Sequence, residues 1–264
     1  MNCRFSKARV AGWSETSMVD VLGHTSFTVW FNYCNFRCPW CQNSHVVLAK
    51  ETKTVKVGEL IDLLAGAKGF VDYLHVTGGE PTVQTEPLYC LFKLCREGGY
   101  MLNSLDTNGS NPSVVRRLLS ERLLDHVALD IKAPLDDPET YARVCGLPVN
   151  MGMEIIGKVK ATLAEVTSSV EFVEVRTTLV PGLVTIEHIA RIVSYLSGLQ
   201  AKGRMVYVVQ QFMPSDTVMS PEFRNVAPTP MDALREAANL AWAAGLEVYI
   251  RSIERGTEKF KPST

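Results

Sequence analysis

The chain has 264 residues, enough to bury a sizeable core, and α/β barrels of about 200–250 residues routinely form one domain, so a single domain over 1–264 is expected. Lys plus Arg number 27 against 28 Asp plus Glu, a formal charge of -1, and no run of like charges marks a nucleic-acid track or an anionic-membrane patch. No run of about 18 apolar residues is present to span a bilayer, and the opening MNCRFSKARVAG lacks the apolar centre of a secretory signal, so the expected location is the cytoplasm, with no membrane or nucleic-acid partner.

In chain order, strands are predicted at SFTVWF (26–31), DYLHVT (72–77), YMLNSL (100–105), HVALDI (126–131), EFVEVRTT (171–178) and MVYVVQQF (205–212), with LEVYI (246–250) as a late edge strand. Between them VGELIDLLAGAK, EPLYCLFKLCREG, NPSVVRRLLS, MEIIGKVKATLAE, IEHIARIVSYLSGL and PMDALREAANLAWAAG space their apolar residues as helices do. Several open on Asn, Thr or Pro and close on Gly. Repeated βα units imply a parallel sheet. The count is six units rather than eight, and right-handed crossovers curl six units into an open, partial barrel of α/β class. No internal repeat, linker or low-complexity tract interrupts the series.

Chemistry in such sheets gathers at the carboxyl ends of the strands, where the loops converge on one mouth. CNFRCPWC follows the first strand, TGGEP the second and DTNG the third; LDIK ends the fourth, VRTT lies in the fifth and VVQQF in the sixth. In a reducing compartment clustered cysteines are more often ligands or redox groups than disulfides, and seven cannot all pair within the chain. Cys3, Cys90, Cys95 and Cys145 are scattered, Cys90 and Cys95 reading as small buried hydrophobes of a helix. Cys34, Cys38 and Cys41 form a constellation. With His45 four residues beyond Cys41 they can make a Cys3His zinc site, or they can hold an iron-sulfur cubane with one iron left open.

Strand alternation points Asp130 and Lys132 to one side and Val127, Leu129 and Ile131 to the other, and it aligns Glu174 with Arg176 in the same way. Two inward charged pairs around one lumen suggest a charged ligand, since burying charge costs several kcal/mol unless it is paired or serves one. Gly78-Gly79-Glu80-Pro81 is either a tight turn or a place where a ligand reaches the backbone. Asp106-Thr107-Asn108-Gly109 is equally a turn or a rim. Trp40 offers an aromatic face to a ligand or to the core. A ligand with an amine and a carboxylate would chelate an open iron and also meet Asp106, Lys132 and Arg176; the methionyl end of S-adenosylmethionine has both groups.

C-x-x-x-C-x-x-C followed by GGEP resembles the signature of the radical S-adenosylmethionine (radical SAM) enzymes, whose fold is a partial (β/α)6 barrel. DTNG, LDIK, VRTTLVPG and QQFMP, in that order, resemble the glycyl-radical-enzyme activating group, especially the activating proteins of anaerobic ribonucleoside-triphosphate reductase. The resemblance covers about 16–250. It implies a 4Fe-4S cluster on Cys34, Cys38 and Cys41, with Gly78, Gly79, Asp106, Lys132 and Arg176 on the methionyl moiety; the ligand for the aromatic face of Trp40 would then be the adenine. It further implies reductive cleavage to a 5'-deoxyadenosyl radical, a glycyl radical enzyme as protein substrate, and an external donor such as ferredoxin or flavodoxin. Asp106, Thr107 and Asp130 match positions that hold a monovalent cation in related activators. The sixth-strand histidine of those activators has no counterpart here, Gln210 or Gln211 standing near its place. No cysteine lies between Cys41 and Gly78, so one cluster is expected. Other substrates, a peptide, a tRNA base or a metabolite, and a zinc-stabilised binding barrel are the alternatives.

Overall fold

The computed structural model describes residues 2–262; residue 1 and residues 263–264 of the expected domain lie outside the described residues. The chain opens with an antiparallel hairpin of β1 (Lys7–Val21) and β2 (His24–Phe31), followed by a short helix, α1 (Ser44–Val47), and by β3 (Lys53–Lys56), which pairs back onto β1. There follow α2 (Val57–Gly66), β4 (Tyr73–Gly78), α3 (Thr85–Glu97), β5 (Leu102–Thr107), α4 (Pro112–Ser120), β6 (His126–Asp130), α5 (Pro138–Cys145) and α6 (Gly152–Ser169). The last third contains β7 (Phe172–Leu179), α7 (Ile186–Ser197), β8 (Arg204–Gln211), α8 (Pro221–Arg224), α9 (Met231–Ala243), β9 (Glu247–Ser252) and β10 (Gly256–Lys259). One sheet takes the order β10-β9-β8-β7-β6-β5-β4-β2-β1-β3. From β2 to β9 every neighbouring pair is parallel, as crossover helices require. No helix among the described residues is long and apolar enough to cross a membrane.

All six predicted βα strands are present, and the structure adds what the sequence pattern did not signal. LEVYI is not an edge: it pairs parallel to β8 as a seventh strand, and β10 covers its far side. β1 escaped notice because register shifts after Val10, Ser14 and Ser17 break the alternation that marks a strand. The short α5 is set by its ends, where Asp137 accepts from Thr140 N at 3.0 Å and Gly146 takes a left-handed φ of 64°. Cys3 and Cys90, expected to be unrelated, form a disulfide between the N-terminal segment and α3, while Cys95 stays a free, buried thiol. Proximity of these two is a property of the packing of the N-terminal turn on α3 and leaves no mark on their spacing.

The main core lies between the sheet and the helices, and a small second cluster of Val21, Leu22, Tyr73, Phe172, Val206 and Val208 fills the amino end of the lumen. The β1–β2 turn is drawn into that end: Leu22 N donates to Glu174 Oε1 at 2.9 Å, and Arg176 Nη2 donates to the Asp20 carbonyl at 2.8 Å. The turn therefore plugs the floor and leaves the mouth at the carboxyl ends.

On the outer face of β5, fully buried Asn103 donates through Nδ2 to Phe92 O at 3.0 Å and Leu123 O at 2.9 Å, anchoring the strand that ends in Asp106. Asn103→Ala strands both carbonyls without a donor. The expected loss is about 2 kcal/mol of unfolding free energy at unchanged m-value, read by urea denaturation.

Candidate active site

Cys34, Cys38 and Cys41 line one cavity of about 480 Å³ at the mouth, together with Trp40, Gly78, Gly79, Asp106, Lys132 and Arg176. Thr107, Asp130, Gln210 and Gln211 border the same space. The strand-end strings are thus brought together.

The cysteine loop leaves β2 through Tyr33 at a left-handed φ of 71° and is held on two sides. Arg37 N donates to Cys145 O at 2.9 Å on the α5 side; Met219 N donates to Cys41 O at 2.9 Å and Ser220 N to Pro39 O at 2.8 Å on the other. The end of β4 presses against the start of this loop. A Cβ at Gly78 would stand 2.2 Å from Phe31 O, and one at Gly79 would stand 2.0 Å from Tyr33 O, so only glycine fits either place. The Gly79 amide is committed to Phe31 O at 2.9 Å, which leaves carbonyl oxygen as what this pair has to offer an ammonium group.

Glu80 and Asn108 are organising residues for which the sequence reading had no role. Buried Glu80 accepts from Thr107 Oγ1 at 2.9 Å and Asn108 N at 2.7 Å, tying GGEP to DTNG. Burial pushes its carboxyl up against these hydrogen bonds. Asn108 Nδ2 then donates to Asn35 Oδ1 at 3.0 Å and lies 3.8 Å from Cys34 Sγ.

The two charged pairs fall as alternation required. Lys132 Nζ is 2.8 Å from Asp130 Oδ2 and lies over the Trp40 ring at 5.2 Å, while Trp40 Nε1 donates to Val144 O at 3.1 Å. Burial works against the Lys132 charge, but Asp130 outweighs it and keeps the ammonium well above its ordinary pKa. Arg176 donates through Nε to Glu174 Oε2 at 2.8 Å and through Nη1 to Asp106 Oδ1 at 3.0 Å. Beneath it runs a buried row that the sequence reading missed. His75 Nε2 is 3.4 Å from Asp106 Oδ2, Ser104 Oγ is 2.7 Å from Nδ1 of both His75 and His126, and His126 Nε2 is 3.2 Å from Glu174 Oε1. With Arg176 the row closes into a ring. Its only sequence signal is parity: His75, Ser104 and His126 alternate in phase with Thr77, Asp106 and Asp130.

Cys145, read as scattered, packs behind Cys38, and its hydrogen bond holds the Cys38 thiol down against burial. It does not border the cavity. Burial pushes Cys34 up to about 12 and Cys41 to about 11, so the protons of these two thiols must leave before they take a metal. Among the described residues no three His, Cys, Asp or Glu side chains converge closely enough for a single ion, and His45 is exposed on α1. His45 therefore does not join the cysteines at the cavity. Three free thiols on one loop at the cavity, with His45 turned to solvent, fit a cluster held by three cysteines with one position left open.

The profile of the Radical SAM superfamily matches residues 28–196. The chain belongs to the radical SAM superfamily. A glycyl-radical-enzyme activating enzyme candidate of Methanocaldococcus jannaschii is 30% identical over 250 residues, 94% of this chain and 97% of its own. The pyruvate formate-lyase-activating enzyme of Clostridium pasteurianum is 32% identical over 133 residues, 49% of this chain and 54% of its own. Among solved structures, TYW1 with a lysine-pyruvate adduct aligns with a TM-score of 0.56 at 16% identity, covering 88% of this chain and 77% of that one, and so shares the fold. Radical SAM membership implies a 4Fe-4S cluster and S-adenosylmethionine, and the residues present fit both.

Burial raises Asp106 and Glu174, yet Arg176 outweighs it and holds both carboxyls well below the usual range. Depressed carboxyls contribute stability that is complete above the unfolded value of about pH 4 and is lost as pH falls toward the folded value. Urea midpoints of the cluster-free protein should thus be flat from about pH 6 to 8 and fall below about pH 4. In Arg176→Met the two acids lose their cation, burial lifts their pKa values, and the acid limb flattens, with about 3 kcal/mol lost at neutral pH.

Proposed function

We propose that this radical SAM protein is an activating enzyme that removes a hydrogen atom from a glycine of a protein partner, anaerobic ribonucleoside-triphosphate reductase being the partner that the sequence resemblance favours. The observation that carries the reading is the meeting of three free thiols, the Gly78-Gly79 backbone and the charged residues Asp106, Lys132 and Arg176 around one cavity. The near full-length likeness to an activating-enzyme candidate supports the choice among radical SAM reactions. When bound, the cluster and S-adenosylmethionine supply one-electron cleavage and hydrogen abstraction, an external ferredoxin or flavodoxin supplying the electron.

The chain's own residues then bind and orient. Cys34, Cys38 and Cys41 hold the cluster, and carbonyl oxygens at Gly78 and Gly79 with the Asp106 carboxylate suit the cofactor's ammonium. Lys132 and Arg176 suit its carboxylate, each already fixed by the acid two residues before it. Trp40, clamped by Val144, gives the adenine a flat wall. Gln210 or Gln211, both bordering the cavity, would supply the ribose contact. Asp106 and Asp130 already pair with Arg176 and Lys132, and this reading needs no monovalent cation at Asp106, Thr107 and Asp130.

Anaerobically purified protein is expected to be brown with about four irons per chain, and Cys34→Ala, Cys38→Ala or Cys41→Ala to lose them. Lys132→Ala is expected to keep the iron and weaken S-adenosylmethionine binding about tenfold or more, read by the spectral change on cofactor addition. Mixed with reductant, S-adenosylmethionine and a co-encoded reductase, the protein should give a glycine-centred electron paramagnetic resonance signal. Formation of 5'-deoxyadenosine with deuterium drawn instead from a peptide, nucleotide or metabolite would overturn the activator assignment.

A further inference from the structure

The seventh parallel strand brings to the cavity a cation that the mechanism above leaves unused. On β9 Val248 and Ile250 are buried in the main core, so alternation turns Tyr249 and Arg251 to the lumen, and Arg251 borders the cavity beside its register partner Gln210. Thr257 Oγ1 on β10 accepts from Arg251 Nε at 3.0 Å and fixes the guanidinium. Its Nη2 is buried and has no hydrogen-bond partner among the described residues. Glu174 Oε2 lies 3.7 Å away, beyond bonding reach, and already takes Arg176 at 2.8 Å, while Glu174 Oε1 takes Leu22 N.

Lys132 is matched by Asp130, and Arg176 by Asp106 and Glu174. Arg251 has only the looser 3.7 Å ion pair with Glu174, with Asp20 in the same lumen, and its Nη2 makes no hydrogen bond. Burial first, then repulsion from Arg176, lowers it to about 10 against the pull of Glu174, Asp106 and Asp20. A buried charged donor without an acceptor is costly, and native interiors keep one for a reason.

Position narrows the anion. The groups suited to the cofactor's ammonium and carboxylate stand on or just after β4, β5, β6 and β7. β9 lies beyond β8 toward the other end of the sheet, and its Arg251 shares the lumen with Asp20 of β1, which comes from the opposite sheet end. β9 is thus a flank of the cavity to which the cofactor reading assigns no group.

We propose that Arg251 is the anion-recognising residue of the hydrogen-donor subsite, taking a carboxylate of the substrate through its unpartnered guanidinium edge. The inference rests on the function proposed above only in taking the cavity to hold a substrate beside the cofactor, and it adds that the substrate is acidic near the reacting carbon. In a protein partner the group is an Asp or Glu close to the target glycine; a small carboxylic acid is the other source.

Binding is measured on anaerobically reconstituted protein loaded with S-adenosylmethionine. The probes are two capped, glycine-centred peptides that differ only in Asp or Asn beside the glycine, and carbon-13 pyruvate as the small carboxylate. The native protein is expected to prefer the Asp peptide at least tenfold. Arg251→Gln should cut the preference below about twofold, and Arg251→Lys should keep part of it. S-adenosylmethionine affinity should stay within about twofold in both variants, whose iron content and thermal midpoint are read alongside. Arg251-dependent binding of pyruvate but not of peptide keeps the subsite and removes the protein-substrate reading. Equal binding of the Asp peptide by the native and Arg251→Gln proteins overturns the subsite and leaves that reading standing. A tenfold loss of S-adenosylmethionine affinity, or no Arg251-dependent binding of either probe, also overturns the proposal. Where Arg251→Gln fails to load its cluster, the matched-peptide comparison on Arg251→Lys decides, an undiminished preference sinking the proposal.

Discussion

The lumen depends on one guanidinium. Arg176 reaches Glu174 on its own strand, Asp106 two strands away and the carbonyl of Asp20 from the N-terminal hairpin. A buried cation needs opposite charge and hydrogen bonds at once, and here the two acids and the carbonyl provide both. The consequence is geometric as well as electrostatic. Three segments far apart in sequence are drawn to a single point below the mouth, and the floor is closed while the mouth stays open. The His75–Ser104–His126 row completes the ring between the two acids, so that each carboxylate has more than one partner holding it in place.

Above that floor, chemistry is organised by closeness of backbone rather than by side-chain bulk. Gly78 and Gly79 let the end of β4 lie against Phe31 and Tyr33, and this contact places the cysteine loop directly over the charged lumen. Glu80, one residue on, reaches back to the turn after β5 and fixes the two loops together. The same short string therefore serves the fold through its glycines and the site through its neighbours. Clamping of the cysteine loop from α5 on one side and from residues 219–220 on the other keeps three thiols on one wall without any sulfur bonding another there. Such preorganisation suits a centre that must leave one coordination position for a second ligand.

Much of this was legible before any coordinates. Period-two alternation gave the inward faces of β6 and β7, hence Asp130 with Lys132 and Glu174 with Arg176, because a strand's side-chain period is fixed by its backbone. The three-cysteine loop and GGEP were legible because local spacing constrains a loop. Other features had no local signature. Glu80, Cys145 and Arg251 acquire their roles only from residues distant in the chain, and Cys3 meets Cys90 only because helices pack. β1 was hidden by its bulges, and β9 was misplaced at the edge because a strand's neighbours are not written in its own composition.

By itself, then, the sequence determined the alternation of strands and helices, the direction each strand residue faces and the presence of three thiols on one loop, all of them consequences of short-range geometry. Tertiary structure alone decided which acids share Arg176 and that Arg251 Nη2 enters the cavity without a hydrogen-bond partner. Those outcomes turn on distances between segments tens of residues apart, which curvature of the sheet and packing of its helices set and which no spacing along the chain encodes.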